Sequence, residues 1–165
     1  RRNQHFTLYF ACVEVNKDMS LLLVNKILMT SHQETYVKEN VKRNEFILLK
    51  KAQDCGIPVP SIISYDESEE RMVMEKIPQM NIADFYGDNF TDVPTWIVDE
   101  IRSIVLNLFL HNIEYPDITG YNFIEYQDKI WVIDFGDARE ICSDKRDPFV
   151  TAFINGKDCW NPRFK

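Results

Sequence analysis

Glycine is scarce in this chain, with five in 165 residues and none before Gly56. A loop that wraps phosphates with bare backbone needs closely spaced glycines, so no such loop can lie in the first third. Cysteine is equally uninformative as a scaffold. Cys12, Cys55, Cys142 and Cys159 are far apart, with no C-x-x-C pair and no histidine at ligand spacing, which argues against a zinc site or a disulfide framework. Reduced thiols in an intracellular compartment, cytoplasm or nucleus, are the expectation. The longest nearly apolar runs, Leu21 to Val24 and Ile104 to Leu110 with Asn107 inside, fall far short of the roughly 20 residues that span a bilayer. No membrane partner is expected. Arg1-Arg2 ahead of Phe6 to Val13 superficially resembles a secretion signal, but Thr7 and Glu14 interrupt it and no small-residue cleavage site follows. The stretch reads as a strand, and the missing initial Met suggests a processed start. Positive charge is also in deficit: the net charge of −7 disfavours nucleic acid as the main partner, because a phosphate-binding face wants clustered Lys and Arg.

What is present is a 45% hydrophobic, 13% aromatic chain without repeats or low-complexity stretches. Its length suits one ordinary domain or two small lobes with a real core. Phe6 to Val15 and Met19 to Met29 are rich in aromatic and β-branched residues around a polar turn, and predict antiparallel strands. Val37, Val41, Leu48 and Ala52 recur at helical spacing, so a helix is predicted from about Glu34 to Asp54, stopped by Gly56. Two prolines, Pro58 and Pro60, exclude helix after that. Ile62 to Tyr65 and Met72 to Ile77 read as strands around the acidic turn Asp66 to Glu70. Ile82 to Tyr86 predicts a short helix. Pro94 to about Asn112 predicts the longest one, with Ile97, Ile101, Ile104 and Leu108 on one stripe and Pro94 in its first turn. His111 at its end reads as a helix-terminal residue. Phe149 to Ile154 predicts another short helix, with Trp160 and Phe164 as aromatics that dock nearby.

Two loops carry the chemistry. Asp117-Ile118-Thr119-Gly120-Tyr121-Asn122 is followed twelve positions after Asn122 by Asp134-Phe135-Gly136. Between them, Asn122 to Tyr126, the turn Gln127-Asp128, and Lys129 to Ile133 read as a hairpin. A hairpin returns the chain to its start, so Asp134 is expected beside Asp117 and Asn122. Oxygen donors of this kind suit Mg²⁺, which takes one or two carboxylates plus phosphate oxygens and waters. The remaining acid can accept a proton from a hydroxyl.

The ordered pair D-x-x-x-x-N and D-F-G across one hairpin resembles the catalytic and metal loops of protein kinases. The resemblance covers roughly residues 7 to 140. It implies an α+β, bilobal protein kinase-like fold in a single domain: a small antiparallel-sheet lobe with one helix over about residues 1–77, and a truncated, mostly helical lobe over 78–165. It implies Asp117 as catalytic base, Asn122 and Asp134 as Mg²⁺ ligands, and ATP as the nucleotide. It also implies a lysine–glutamate pair on the α- and β-phosphates. Glu45 falls on the apolar stripe of the predicted helix, where an unpaired carboxylate is costly. It either sits at the stripe's edge, pairs with Lys42 one turn back, or pairs with a strand lysine. Lys26, inside the second predicted strand, is the preferred partner, although a strand-edge lysine facing solvent is the plain alternative. Lys38 is the rival, since Tyr36-Val37-Lys38 could be a strand with a later helix start; it is disfavoured because only seven residues then separate it from Glu45, too few for a strand end, a connection and enough helix. Met72 to Pro78 resembles the strand that enters the kinase hinge, which implies Met74 guarding the back of the pocket and the backbone of Glu75 and Ile77 meeting adenine.

There are departures. Tyr115-Pro116 stand where His-Arg is usual, Thr119 stands where protein-directed kinases often carry Lys, and no Ala-Pro-Glu follows the D-F-G. The chain is therefore more similar to compact atypical members: RIO-type kinases, the small kinase of the KEOPS complex, or the reduced kinase-like proteins of large DNA viruses. The implied activity is ATP- and Mg²⁺-dependent phosphotransfer, most simply to Ser or Thr of a protein partner. The alternative is a catalytically weak or inactive pseudokinase that binds nucleotide or scaffolds other proteins. A small-molecule kinase is a third, less favoured reading.

Overall fold

Val73 and its neighbours Met72 and Met74 alternate in exposure as a half-buried strand requires, and that strand is the centre of the first sheet. In the computed structural model, which describes residues 34–141 and 146–164, β1 (Thr35–Lys38), β2 (Ile62–Asp66) and β3 (Arg71–Glu75) form an antiparallel sheet of order β1-β3-β2. Tyr36 faces Met74 and Lys38 faces Met72 across the first pair. Met72 and Met74 are buried. The predicted strands at Phe6 to Val15 and Met19 to Met29 lie outside the described residues, as does Lys26.

Helix α1 (Arg43–Asp54) starts nine residues later than its periodicity predicts. The reason lies in the three residues Tyr36-Val37-Lys38, which are committed to the ladder with β3. Val37, placed on the helical stripe by spacing, is instead a 37% exposed strand residue. Val41 is fully buried in the connection, where its N–H donates to the Glu70 carbonyl (2.7 Å) and its own carbonyl accepts from the Tyr65 hydroxyl (3.1 Å). The turn that makes room is short because Asn40 adopts a left-handed φ of 58°, a conformation asparagine tolerates better than most residues. At the other end Gly56, with φ of 76°, lets the Ile57 N–H reach back to the Ala52 carbonyl (3.1 Å).

The helical part is built on α2 (Ile82–Tyr86), α3 (Thr95–Leu110) and α4 (Pro148–Ile154). Ile97, Ile101, Ile104 and Leu108 are buried on α3 as their spacing requires, with Val98 and Val105 alongside. Pro94 is the N-cap rather than a first-turn residue. His111 caps the other end and its Nδ1 lies 2.8 Å from the Asn107 carbonyl, a helix-terminal role. Two elements hold α4: Asp147 accepts from the Phe149 N–H (2.8 Å) as its N-cap, and the Arg102 Nε–H donates to the Phe153 carbonyl (2.8 Å).

Between these parts runs the hairpin of β5 (Phe123–Tyr126) and β6 (Lys129–Val132), in the register that places Phe123 opposite Val132. Its two turn residues, Gln127 and Asp128, both have positive φ (52° and 57°), the signature of a type I′ turn whose twist matches the strands. The hairpin is fixed from one side by the Val132 N–H, which donates to the Pro58 carbonyl (2.9 Å), and from the other by the Ile133 N–H on the Asn122 carbonyl (3.1 Å). Two short strands, β4 (Ile113–Glu114) and β7 (Arg139–Glu140), pair antiparallel and bracket both loops. Among the described residues no helix is long and apolar enough to cross a membrane.

The loop carrying Asp117 lies tight on α2. A Cβ at Gly120 would stand 3.1 Å from both the Ala83 Cβ and the Ala83 backbone nitrogen, tight enough that α2 would have to give by a few tenths of an ångström. Gly120→Ala is therefore expected to destabilise the fold by about 1–3 kcal/mol, read by thermal or urea melting. Gly120→Ala with Ala83→Gly should recover only part, because the backbone contact remains.

Candidate active site

Glu45 sits in the first turn of α1 and is 6% exposed, on the same side as Leu48 and Ala52. A carboxylate held there needs a cation. Lys38, at the end of β1, supplies it: its ammonium donates to Glu45 Oε1 and, at 2.9 Å, to Asp134 Oδ1. Lys26, the preferred partner, lies outside the described residues; among those described, the partner of Glu45 is Lys38, the rival lysine. Seven residues are enough, because a four-residue link from Glu39 to Lys42 turns at Asn40 and Glu45 lies only three residues into the helix. Lys42 is engaged elsewhere, with Glu70 at 2.6 Å. Burial pulls the Lys38 ammonium down, but its hydrogen bonds to Glu45 and Asp134 and their charges outweigh this and hold its pKa above the ordinary value of 10.5.

Asp134 is fixed by its own loop. Its Oδ1 also accepts from the Gly136 N–H (2.8 Å), and a Cβ at position 136 would lie 3.2 Å from that oxygen and 3.8 Å from Glu45 Oε2. The glycine of D-F-G keeps the carboxylate cluster uncrowded. Phe135 is buried, its ring 5.4 Å from that of Tyr115. Tyr115, fully enclosed where the resemblance expects His, has a hydroxyl with no partner among the described residues; burial and then the charges of Asp134 and Asp117 push its pKa far up.

In the other loop, Asn122 is 8% exposed and its amide donates to the Asp117 carbonyl (3.1 Å), while the Thr119 hydroxyl donates to Asp117 Oδ1 (3.3 Å). Thr119 therefore supports Asp117 directly. Burial raises the Asp117 pKa above the ordinary 3.8; the side chains of Asn122 and Thr119 oppose this, and the charges of Asp137 and Asp134 add to it.

A cleft of about 390 Å³ is lined by Lys38, Met74, Glu75, Ile77, Asn122 and Asp134, together with Tyr36, Ile124 and Ile133. Five of the sequence-selected positions, Met74, Glu75, Ile77, Asn122 and Asp134, thus share one cavity wall with the rival lysine, Lys38. Glu45 reaches it through Lys38, and Asp117 stands next to it through Asn122. In the strand leading to the hinge, the Glu75 N–H is spent on the Ser61 carbonyl (2.8 Å) and the Ile77 carbonyl accepts from the Gln79 N–H (2.8 Å). The Ile77 N–H has no backbone partner among the described residues. A cleft walled by Met74, Ile77, Ile124 and Ile133, with a cation and two oxygen-bearing side chains at one end, suits a flat apolar group joined to an anion. Asn122 and Asp134 offer one amide and one carboxylate, fewer donors than a metal cage. Among the described residues no group of three or more His, Cys, Asp or Glu side chains forms one. That donor set fits Mg²⁺ only when phosphate oxygens complete the shell.

The RIO domain family model matches residues 13–159. The chain belongs to the RIO domain family. Among individual relatives, a Thermoplasma acidophilum protein described as a probable bifunctional tRNA threonylcarbamoyladenosine biosynthesis protein is 23% identical over 111 residues, 67% of this chain and 20% of that protein. The solved structure of the Cydia pomonella granulovirus kinase PK-1 superposes with a TM-score of 0.54 at 15% identity, over 67% of this chain and 45% of that one. The RIO domain chain thus spans a minor part of each relative's length, and what the structural likeness shows is the kinase-like fold.

If the lysine bridge holds this RIO domain's site together, Lys38→Met strands Glu45 in the core and should cost about 3–5 kcal/mol, measured by denaturant unfolding at neutral pH. Adding Glu45→Gln to it should return a large part of the loss. The sign with pH follows from the raised lysine pKa: the wild-type contribution is fully present below 10.5 and disappears as pH rises through the folded value above it. On the alkaline side, wild type and Lys38→Met should converge in stability only above that folded value.

Proposed function

We propose that this RIO domain transfers the γ-phosphate of ATP, with Mg²⁺, to a hydroxyl acceptor, most simply Ser or Thr of a protein. The observation that carries the reading is the Lys38 ammonium bridging the buried Glu45 and the D-F-G Asp134 at the end of an apolar cleft. Lys38 would bind the α- and β-phosphates, exchanging its bond to Asp134 for phosphate oxygens while Glu45 keeps it aimed. Met74, Glu75 and Ile77 would frame the adenine, the Ile77 N–H offering one donor to its ring edge. Asn122 and Asp134 would hold Mg²⁺, which when bound neutralises phosphate charge. Asp117 would accept the acceptor's proton, and its raised pKa makes it a better base than an exposed aspartate.

A binding-only role draws support from one feature: no glycine precedes Gly56, so fewer backbone donors cover the phosphates and water is excluded less well. Activity separates the two readings. Purified chain with γ-labelled ATP and Mg²⁺ should label itself or casein, and Asp117→Asn should abolish labelling while leaving nucleotide affinity nearly unchanged. Equal labelling by wild type and Asp117→Asn would remove Asp117 from the role of base.

The pH dependence has a defined direction. Asp117 must be ionised to accept a proton, so kcat should fall as pH drops through a value above the ordinary 3.8. For stability, a raised folded pKa means a contribution present below 3.8 and lost as pH rises through the folded value. Asp117→Asn should therefore melt no lower than wild type at neutral pH.

Binding is tested by melting with ligands. At ATP a hundredfold above its dissociation constant, linkage stabilises by about 2.7 kcal/mol, which for a domain of this size is roughly 5–10 °C. The rise should be large only with Mg²⁺ present, and Asp134→Ala should lose the Mg²⁺-dependent part. A metal-dependent rise that survives in Asp134→Ala would move the cation to other residues.

A further inference from the structure

Asp117 is half-buried between two buried neighbours, Pro116 and Ile118, and the backbone on both sides of it is tied to one distant residue. The Asn161 Nδ2–H donates to the Pro116 carbonyl at 2.7 Å, and the Asn161 main-chain N–H donates to the Ile118 carbonyl at 2.9 Å. One residue, 45 positions downstream of Pro116, therefore holds the carbonyls of both residues that flank Asp117. Asn161 is 1% exposed, so both bonds are made out of reach of water, where an amide left without them is expensive.

The clamp is itself braced. Asn161 Oδ1 accepts from the Arg163 N–H (3.2 Å), which fixes the amide's orientation, and the Phe164 N–H donates to the Asn161 carbonyl (3.1 Å). The Arg163 guanidinium then donates to Asp147 Oδ2, and the Asp147 N–H donates to Glu114 Oε1. Glu114, buried three residues before Asp117, also accepts from the Arg139 Nε–H at 2.6 Å. Trp160, next to Asn161, packs edge-on against Phe90 with ring centroids 4.8 Å apart. The path closes on itself: from the carbonyls flanking Asp117 through Asn161, Arg163 and Asp147 to Glu114 at the end of β4, and through Tyr115 and Pro116 back to Asp117.

We infer that Asn161 is a positioning residue for phosphotransfer, setting the backbone from which Asp117 meets the acceptor hydroxyl. The inference rests on the reading of Asp117 as the base. Its physical logic is that Pro116, standing where an Arg is usual, brings no long side chain and no N–H of its own to anchor the loop. The anchor comes from outside, as a donor to the Pro116 carbonyl. Misplacing a catalytic group by about 1 Å costs up to a hundredfold in rate, whereas the nucleotide cleft, which Asn161 does not line, should be unaffected.

The test uses the full chain. Asn161→Ala should lower kcat for labelling of casein from γ-labelled ATP by roughly tenfold to a hundredfold while KM for ATP stays within about twofold. Asn161→Asp keeps the size and the acceptor for the Arg163 N–H but sets an oxygen against the Pro116 carbonyl, and should lose as much. Amide hydrogen exchange without nucleotide gives a readout independent of activity. The Ile118 and Thr119 amides should exchange at least about tenfold faster in Asn161→Ala than in wild type, with amides of α3 unchanged. In wild type the Asn161 amide itself should be strongly protected. Unchanged kcat per folded molecule, unchanged exchange at Ile118 and Thr119, or an unprotected Asn161 amide in wild type would each overturn the inference. Should wild type transfer no phosphate, the proposed function fails, and the exchange data alone then decide whether Asn161 holds the loop.

Discussion

A carboxylate inside an apolar helix face is the constraint on which the rest depends. Glu45 lies on the buried side of α1 with Leu48 and Ala52, and the energetic penalty for leaving it unpaired exceeds what most single contacts return. Lys38 meets that need from the neighbouring strand. The pair fixes α1 against the sheet, and because the same ammonium reaches Asp134, it also fixes the sheet against the loop that follows the hairpin. A single cation thereby ties together β1, α1 and the D-F-G segment. An ion triad of this kind is a poor way to gain stability and a good way to specify one arrangement.

The hairpin sets the other coordinate. Its type I′ turn at Gln127-Asp128 and its fixed register leave little choice about where Asp134 emerges relative to Asn122, whose carbonyl takes the Ile133 N–H. A slip of one residue would send Ile130 and Val132, both buried, to the opposite face. The core thus enforces the geometry of the polar site. Gly120 and Gly136 serve the same end from the opposite direction, each leaving open a space that a Cβ would fill, against Ala83 in one case and against Asp134 in the other.

Much of this was legible in the residues. The α2 limits, the α3 stripe, both hairpin strands and their turn follow from periodicity and turn chemistry, because each is a local signal. The motif pair led to the RIO domain's kinase-like fold for the same reason, since its spacing is set by one hairpin. The α1 start was legible only as the less favoured alternative: Val37 and Val41 match a helical period by coincidence, and only pairing with Met72 to Met74, more than thirty residues away, decides that Tyr36-Val37-Lys38 is a strand. Lys38 as the partner of Glu45 went with it. The signal that was available is the aromatic and β-branched pair Tyr36-Val37 ahead of Asn40, a strand followed by a residue suited to a left-handed turn. Asn161 had no local signal at all. Its role rests on contacts with Pro116 and Ile118 that no pattern near Trp160 encodes, and the same is true of Glu114 with Arg139 and Asp147.

In the proposed function Lys38 and Asp134 act on the nucleotide as one coupled unit. A calorimetric double-mutant cycle measures that coupling directly, using Mg²⁺-ATP binding to wild type, Lys38→Met, Asp134→Asn and the double variant. Coupling should exceed about 1 kcal/mol, as expected for groups sharing one network, with each single change weakening binding. Additive effects with coupling indistinguishable from zero, or a Lys38→Met variant that binds Mg²⁺-ATP as tightly as wild type, would contradict the account.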